Sequence, residues 1–147
     1  MLAQFLLLGG LVVVTLPRAP YLLPRSGVDW LTFAAGATAL GIAGLTILRG
    51  FRDLGRNLTV LPRPRKDAVL VESGIYAVIR HPIYAGLILG GLGWATILRS
   101  LPAAVVAIAL AIVLDAKSRR EEAWLRERYP AYEPYMQRTK RFLPGLY

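Results

Sequence analysis

The sequence predicts an all-α integral membrane protein. The expected architecture is a bundle of about four transmembrane helices, with a cytoplasmic loop and a C-terminal helical segment closing a site at one end. Three observations carry this reading. Of the 147 residues, 55% are hydrophobic and the mean hydropathy is +0.47, too apolar for an ordinary soluble domain of this length. Four apolar runs approach the roughly 20 residues that cross a bilayer. The net charge of +9 falls almost wholly in two blocks, Arg49 to Arg80 and Lys117 to Arg141, each flanking apolar segments. Cytoplasmic loops carry such a basic excess, so the charge is accounted for without nucleic acid.

The chain reads as one domain, residues 1–147. Its first run, 2–16, is apolar nearly throughout and stops at Pro17. It is short for a span, so tilt or local thinning must accommodate it. It lacks a basic leading region and a small-residue cleavage site, and reads as a retained span rather than a signal peptide. The connection 17–29, with Pro17, Pro20, Pro24, Arg18 and Arg25, is a tight, rigid turn. The second run, 30–48, carries Gly36, Ala37, Gly41 and Gly44, small residues that let helices approach closely in lipid.

Residues 49–81 are the expected cytoplasmic loop. Arg49, Arg52, Arg56, Arg63, Arg65 and Lys66 outnumber Asp53, Asp67 and Glu72, and Pro62 and Pro64 break any continuous helix. The return of Val69, Leu70 and Val71 favours an ordered loop folded back on the core. Pro82 opens the third run, 82–98, where its missing N–H costs nothing in a first turn. Arg99, Ser100 and Pro102 make a short turn, and the fourth run, 101–114, returns antiparallel. No Gly or Pro follows Leu114, so this helix continues through Asp115 toward Tyr129, where Pro130 ends it.

Four spans put both termini on one side, cytoplasmic by the charge rule, in a multi-pass protein expected in a prokaryotic inner membrane. The loop 49–81 and the segment 115–147 then meet over the same end of the bundle. A lateral gap between the second and third runs, walled by Gly41, Gly44, Gly86 and Gly90, is the expected entrance for a lipophilic molecule.

At that end lies His81, the only histidine, between Arg80 and Pro82 with Tyr76 and Tyr84 nearby. A helix start, a guanidinium and an imidazole suit an anionic group. Beyond Leu114, Lys117, Glu121, Trp124 and Arg128 share one helix face at spacings of three and four. Alone they describe a solvated helix with ion pairs along it. Emerging beside Arg80 and His81, the helix lets Glu121 reach back over the mouth of the third run. The absence of cysteine removes disulfides, thiolate nucleophiles and Cys-based metal sites, and one histidine makes a protein-only zinc site unfit. No metal is expected.

The run GIYAVIRHPIYAG, followed by REEAWLRERYPAYEPYMQRTKRFLPGLY, resembles the isoprenylcysteine carboxyl methyltransferase family and the related phospholipid N-methyltransferases. The resemblance covers roughly Leu54 to the C-terminus. It implies a membrane methyltransferase using S-adenosyl-L-methionine, held at the cytosolic membrane face under the C-terminal segment. A lipophilic or lipidated substrate enters from the bilayer. Carried over residue by residue, Val69, Leu70, Val71, Tyr76, His81, Pro82, Ile83, Tyr84 and Glu121 match cofactor-contacting positions. Arg80, His81 and Glu121 become the candidate catalytic residues, and Lys117 and Arg120 the candidate substrate contacts. Lys117 stands where the family can carry an arginine, and the swap loses bidentate geometry.

The same residues suit that cofactor on their own chemistry. Arg80, His81 and the helix start fit its carboxylate, and Glu121 or Glu122 fits its ribose hydroxyls or amino group. Tyr76, Tyr84 and Trp124 offer flat surface to adenine and electron-rich faces to the sulfonium, worth about 0.5–2 kcal/mol as a cation–π contact. These aromatics suit an interfacial belt equally well. A carboxylate acceptor, as in an isoprenylcysteine-like substrate, arrives ionised. A phospholipid amine or a small thiol must first be deprotonated, and His81 and Glu121 are the local bases. A non-enzymatic membrane scaffold or transporter component is the reading from another class. A permeation path would mark it with ionisable residues inside the spans, and there are none away from span ends. A basic face binding polyanions is a third.

Overall fold

The computed structural model describes residues 2–17, 23–55 and 69–146. The elements are α1 (Leu2–Thr15), α2 (Gly27–Leu54), a one-turn 3₁₀ helix (Gly74–Ala77), α3 (Pro82–Ile97), α4 (Leu101–Arg128) and α5 (Tyr132–Arg138). Among the described residues there is no strand, only an isolated bridge between Ile79 and Lys140. The all-helical expectation holds.

Local chemistry sets the boundaries. A reciprocal cap opens α2: the Ser26 hydroxyl accepts from the Asp29 N–H, and the Asp29 carboxylate accepts from the Ser26 N–H, satisfying two otherwise orphaned donors. The helix does not stop at Leu48. It runs to Leu54 and ends at Gly55, whose φ of 51° turns the chain away. Arg49 to Leu54 are therefore helix, not the start of the cytoplasmic loop. Hydropathy marks where the apolar stretch ends, whereas backbone hydrogen bonding continues to the first residue able to break it. The calls on Arg18 and Pro20, and on Arg56, Pro62, Arg63, Pro64, Arg65, Lys66 and Asp67, lie outside the described residues. For α4, Ser100 accepts from the Ala103 N–H and Pro102 fills the first turn. The helix then continues unbroken to Arg128, as the missing Gly or Pro after Leu114 predicts.

Two helices, α2 and α4, are long and apolar enough to cross a membrane. The other two apolar helices are shorter, 14 residues in α1 and 16 in α3. At 1.5 Å per residue these reach about 21 and 24 Å, against a hydrocarbon core of about 30 Å. Apolar side chains point outward all along: Phe5, Leu6, Val12 and Val13 on α1, Leu31, Ile42, Leu45 and Leu48 on α2, Val105, Ile108 and Ile112 on α4. An apolar exterior of this extent is the surface of a protein solvated by lipid.

The most extensive helix pairing joins α2 to α3; α3 then packs on α4, and α4 on α1. The α2–α3 seam is closed by glycine. A Cβ at Gly36 would lie 2.6 Å from the Gly93 carbonyl oxygen and 2.6 Å from Ile97 Cγ1, and one at Gly86 would lie 2.9 Å from the Ala43 carbonyl oxygen. Gly41 and Gly44 face outward with nothing within 4 Å of a Cβ. The expected lateral gap between the second and third runs is therefore absent: its glycines either seal the seam or face away from it. At the opposite edge, Leu11 of α1 packs with Ala95 of α3 and Ala103 of α4, and Trp94 Nε1 donates to Thr15 Oγ1 at 3.4 Å.

Overpacking a closed seam costs about 1–3 kcal/mol. Gly36→Ala and Gly86→Ala should each lower the thermal midpoint of the detergent-solubilised protein measurably, whereas Gly41→Ala should leave it in place or raise it. Equal effects at all three positions would refute this account of the seam.

Candidate active site

The buried stripe of α4 is Ala103, Ala107, Leu110, Leu114, Ser118 and Glu122. Steps of three and four residues carry it out of the apolar stretch and place a carboxylate, 1% exposed, at its end. A buried charge is tolerated only when paired and hydrogen-bonded, and Glu122 is both. Arg80 Nε donates to its Oε1 at 2.8 Å, and Arg141 donates through Nη2 to Oε2 at 2.7 Å and through Nε to Oε1 at 3.3 Å. Arg141 also reaches Asp115 Oδ1 at 3.1 Å, and Arg80 Nη1 donates to the carbonyls of Thr139 and Met136. Burial alone would raise the Glu122 pKa. The His81 ring facing it and the hydrogen bonds from Arg141 and Arg80 outweigh it and hold the carboxyl well below the usual carboxylate range.

This network ties the C-terminal tail to the start of α3. The tail runs parallel to the residues before Pro82: the Arg80 N–H donates to the Lys140 carbonyl at 2.8 Å, and the His81 N–H to the Arg141 carbonyl at 3.1 Å. Tyr135 Oη donates to the Tyr76 carbonyl at 2.7 Å, and Tyr76 Oη donates to the Gly50 carbonyl at 3.2 Å. Burial pushes the Tyr135 hydroxyl up to about 12. Below these contacts, Asp53 of α2 accepts from the Ile75 N–H at 2.8 Å. Gly74, at φ 61°, leaves room for that carboxylate where a Cβ would collide with it. The end of α2, the 3₁₀ turn, the α3 start and the tail thus form one connected base.

His81 is the N-cap residue of α3, with its side chain 9% exposed. Its ring stacks on Tyr84, with centroids 5.4 Å apart and planes 5° from parallel, and meets Phe142 of the tail at 6.1 Å. Its Nε2 lies 3.3 Å from Glu122 Oε1, but off the line a hydrogen bond requires, so this buried nitrogen has no hydrogen-bond partner. Its Nδ1 lies 3.8 Å from Glu121 Oε2. Tyr84 Oη donates to Glu121 Oε1 at 2.7 Å. Lys117 Nζ stands 3.8 Å from the same oxygen and 4.9 Å from the Tyr84 ring centroid, and donates to Gln4 Oε1 of α1 at 3.0 Å.

The structure therefore brings His81, Tyr84, Glu121 and Lys117 into one patch. The other candidates stand elsewhere. Arg80 borders the patch, but its guanidinium is taken up by Glu122 and the tail carbonyls rather than left open for an incoming carboxylate. Tyr76 is buried in the base. Pro82 and Ile83 face α2, where a Cβ on Gly50 would meet them at 3.2 and 2.9 Å. Val69 is exposed and Leu70 and Val71 are half-buried at the rim; Arg120 is exposed and Trp124 half-buried on the α4 extension. Sequence reasoning did not single out Arg141, Asp115, Phe142 or Gln4, and it named Glu122 only as an alternative to Glu121. The missed signal is the α4 stripe itself: extended past Leu114 at helical spacing, it selects Glu122 for the interior.

The model for the phospholipid methyltransferase family matches residues 31–132. This chain belongs to that family. Among curated proteins it is 34% identical over 137 residues to the cobalt-zinc-cadmium resistance protein CzcN of Cupriavidus metallidurans. It is 30% identical over 137 residues to the nickel-cobalt-cadmium resistance protein NccN of Alcaligenes xylosoxydans xylosoxydans. Each alignment covers 92% of this chain and 62% of the relative. The family match takes in α2 from Leu31 onward, α3, α4 and the patch residues His81, Tyr84, Lys117 and Glu121. Gln4, Arg141 and Phe142 lie outside it.

Removing one partner from a buried ion pair costs about 3–5 kcal/mol, because the other charge stays buried and unpaired. Glu122→Gln, which leaves Arg80 only the tail carbonyls and Arg141 only Asp115 as acceptors, should destabilise this methyltransferase-family protein by up to that order in chemical denaturation, and Glu121→Gln by less. The Glu122 carboxyl titrates lower in the folded than in the unfolded chain. Its contribution is therefore full above the unfolded value of 4.5 and lost as pH falls below it. Stability of the wild type should drop below about pH 4.5, and more steeply than that of Glu122→Gln.

Proposed function

We propose that this protein transfers a methyl group from S-adenosyl-L-methionine to a lipophilic or membrane-partitioned acceptor, at the His81–Tyr84–Glu121–Lys117 patch. The observation that carries the reading is the grouping of His81, Tyr84, Glu121 and Lys117 at the polar end of an apolar bundle in a methyltransferase-family chain. The cofactor supplies an electrophilic methyl group on a sulfonium. The donor set fits it: His81 and the opening turn of α3 for its carboxylate, Glu121 for its ribose hydroxyls or amino group, and the Tyr84 and Phe142 rings for its flat base. Arg80 acts through Glu122 and the tail, fixing the backbone that presents His81.

Methyl transfer needs alignment and a dry site more than acid–base power, and orientation supplies roughly 7–11 kcal/mol. The tail, pinned by Arg141, sets Phe142 against the His81 ring on the polar side of the patch. A carboxylate acceptor, such as an isoprenylcysteine-like one, needs no base. For a phospholipid amine or a small thiol, His81 and Glu121 stand within 3.8 Å of each other to take the proton. Two relatives are named for metal resistance. With one histidine and no cysteine, this chain has few soft donors for capturing metals, and a part in metal tolerance would run through methylation at the membrane.

We also propose a multi-pass protein of a prokaryotic inner membrane, with four spans and both termini cytoplasmic. The Gln4–Lys117 bond supports it by setting the start of α1 beside the point where α4 leaves its apolar stretch. A reporter fused after Tyr147 should be active on the cytoplasmic side, and activity confined to the outer side would overturn the topology.

Calorimetry with S-adenosylhomocysteine on the detergent-purified protein tests the function. The wild type should bind. Glu121→Ala and His81→Ala should each lose one charge-assisted hydrogen bond, about 1.5–3 kcal/mol or roughly ten- to a hundredfold in affinity, with helical circular dichroism retained. No binding by the wild type, or undiminished binding by both variants, would remove this assignment.

A further inference from the structure

Gln4 stands near the start of α1, a helix otherwise built of Leu, Val, Phe, Ala and Gly with one Thr at its end. A carboxamide set among lipid is costly unless its polar atoms are used. Here its oxygen accepts from Lys117 Nζ at 3.0 Å. A carboxamide oxygen fixes an ammonium in place without neutralising it, which a carboxylate would do. With that oxygen committed, the side chain keeps an NH₂ group with two donors beside the ammonium.

The surrounding charges leave this pair a distinct part to play. Arg80 and Arg141 are taken up by Glu122. Glu121 receives the Tyr84 hydroxyl at 2.7 Å and stands farther from Lys117, at 3.8 Å. Lys117 is half-buried between α1 and α4, at the height of the patch. A positive charge bonded to a neutral partner at 3.0 Å, and only loosely paired with Glu121 at 3.8 Å, suits an anion carried on an apolar tail.

We infer that Gln4 and Lys117 together form a subsite for an anionic group, phosphate or carboxylate, borne by a lipophilic molecule, with Gln4 holding the ammonium in place. The inference rests on the methyl-transfer reading only where it takes that molecule to be the acceptor. Gln4 lies outside the family match of 31–132, so the subsite depends on the first helix of this chain.

The test uses the full chain in a neutral detergent, titrated with dodecyl phosphate, dodecanol or inorganic phosphate, with S-adenosylhomocysteine binding to the wild type measured alongside. Dodecyl phosphate should bind at least tenfold more tightly than dodecanol, and inorganic phosphate at the same concentration should have no effect. Gln4→Glu should lose about tenfold in dodecyl phosphate affinity while its ligand-free thermal midpoint stays level or rises, because the new carboxylate neutralises Lys117 and keeps α1 docked. A purely structural Gln4 predicts undiminished affinity in that variant, and such a result overturns the inference. So does equal binding of dodecanol and dodecyl phosphate by the wild type. Inorganic phosphate binding as tightly as dodecyl phosphate would overturn the lipophilic assignment. Gln4→Leu should lose the same affinity; if it fails to insert, Gln4→Glu decides alone. Failure to bind S-adenosylhomocysteine, with the dodecyl phosphate preference intact, would remove the methyl-transfer reading and leave the subsite standing.

Discussion

Glu122 is the constraint on which the polar end of this protein depends. A carboxylate carried inward by the α4 stripe must find cations, and the two it finds come from distant parts of the chain: Arg80 before α3 and Arg141 in the tail. Satisfying it therefore draws the tail across the start of α3, where the Lys140 and Arg141 carbonyls can accept from the Arg80 and His81 N–H groups. The side-chain bonds and the backbone bonds reinforce each other, since neither set has correct register without the other. A buried ion pair is weak evidence for net stability. Its clearer consequence here is specificity, because few other paths of the tail leave both guanidinium groups paired.

The apolar end obeys a different rule. In lipid there is no hydrophobic drive to bring helices together, and close packing has to supply the attraction. Glycine does this along α2–α3, with Gly36, Gly86 and Gly93 letting backbone approach backbone. The most extensive contact is thereby sealed, so a molecule arriving from the bilayer has no passage through it. The other edge is held differently. Among the described residues, polar contacts between α1 and its neighbours are Gln4 with Lys117 at one end and Thr15 with Trp94 at the other, with Leu11 packed between. Side chains of this kind separate and re-form more readily than a glycine seam.

How much of this was legible in the sequence follows from which forces are local. The start of α3 was readable because Pro82 acts within one turn. By contrast, α2 begins at Gly27, inside the stretch 17–29 read as a turn, because the Ser26–Asp29 cap opens the helix before the apolar run does. The continuation of α4 was readable from the missing breaker after Leu114. The end of α2 was placed too early, because the apolar run stops at Leu48 while the helix waits for Gly55. The direction in which Gly41 and Gly44 face was not readable, since small residues serve a contact and an outer surface alike. At the site, the grouping of His81, Tyr84, Glu121 and Lys117 could be anticipated from helical spacing and from the short turn between α3 and α4. The capture of Arg80 could not, because it depends on Arg141, a residue far along the chain whose partner is set only by the folded tail.

Glu121 and Glu122 show how one helix gives two identical side chains opposite tasks. They differ by about 100° around the axis, enough to turn one into the interior and leave the other at the patch. Glu122 meets two guanidinium groups, and its charge is spent on holding the fold. Glu121 meets a phenol hydroxyl and, farther off, an ammonium that is itself bonded to a carboxamide. A carboxylate in that second setting is not saturated, because a phenol hydrogen bond leaves lone pairs open. Exchanging the two environments would bury an unsatisfied charge at one position and saturate the patch carboxylate at the other. The order of the pair along the chain is thus fixed by the phase of the α4 stripe: Glu122, falling on it, is structural, and Glu121, one step off it, stays at the patch with Tyr84 and Lys117.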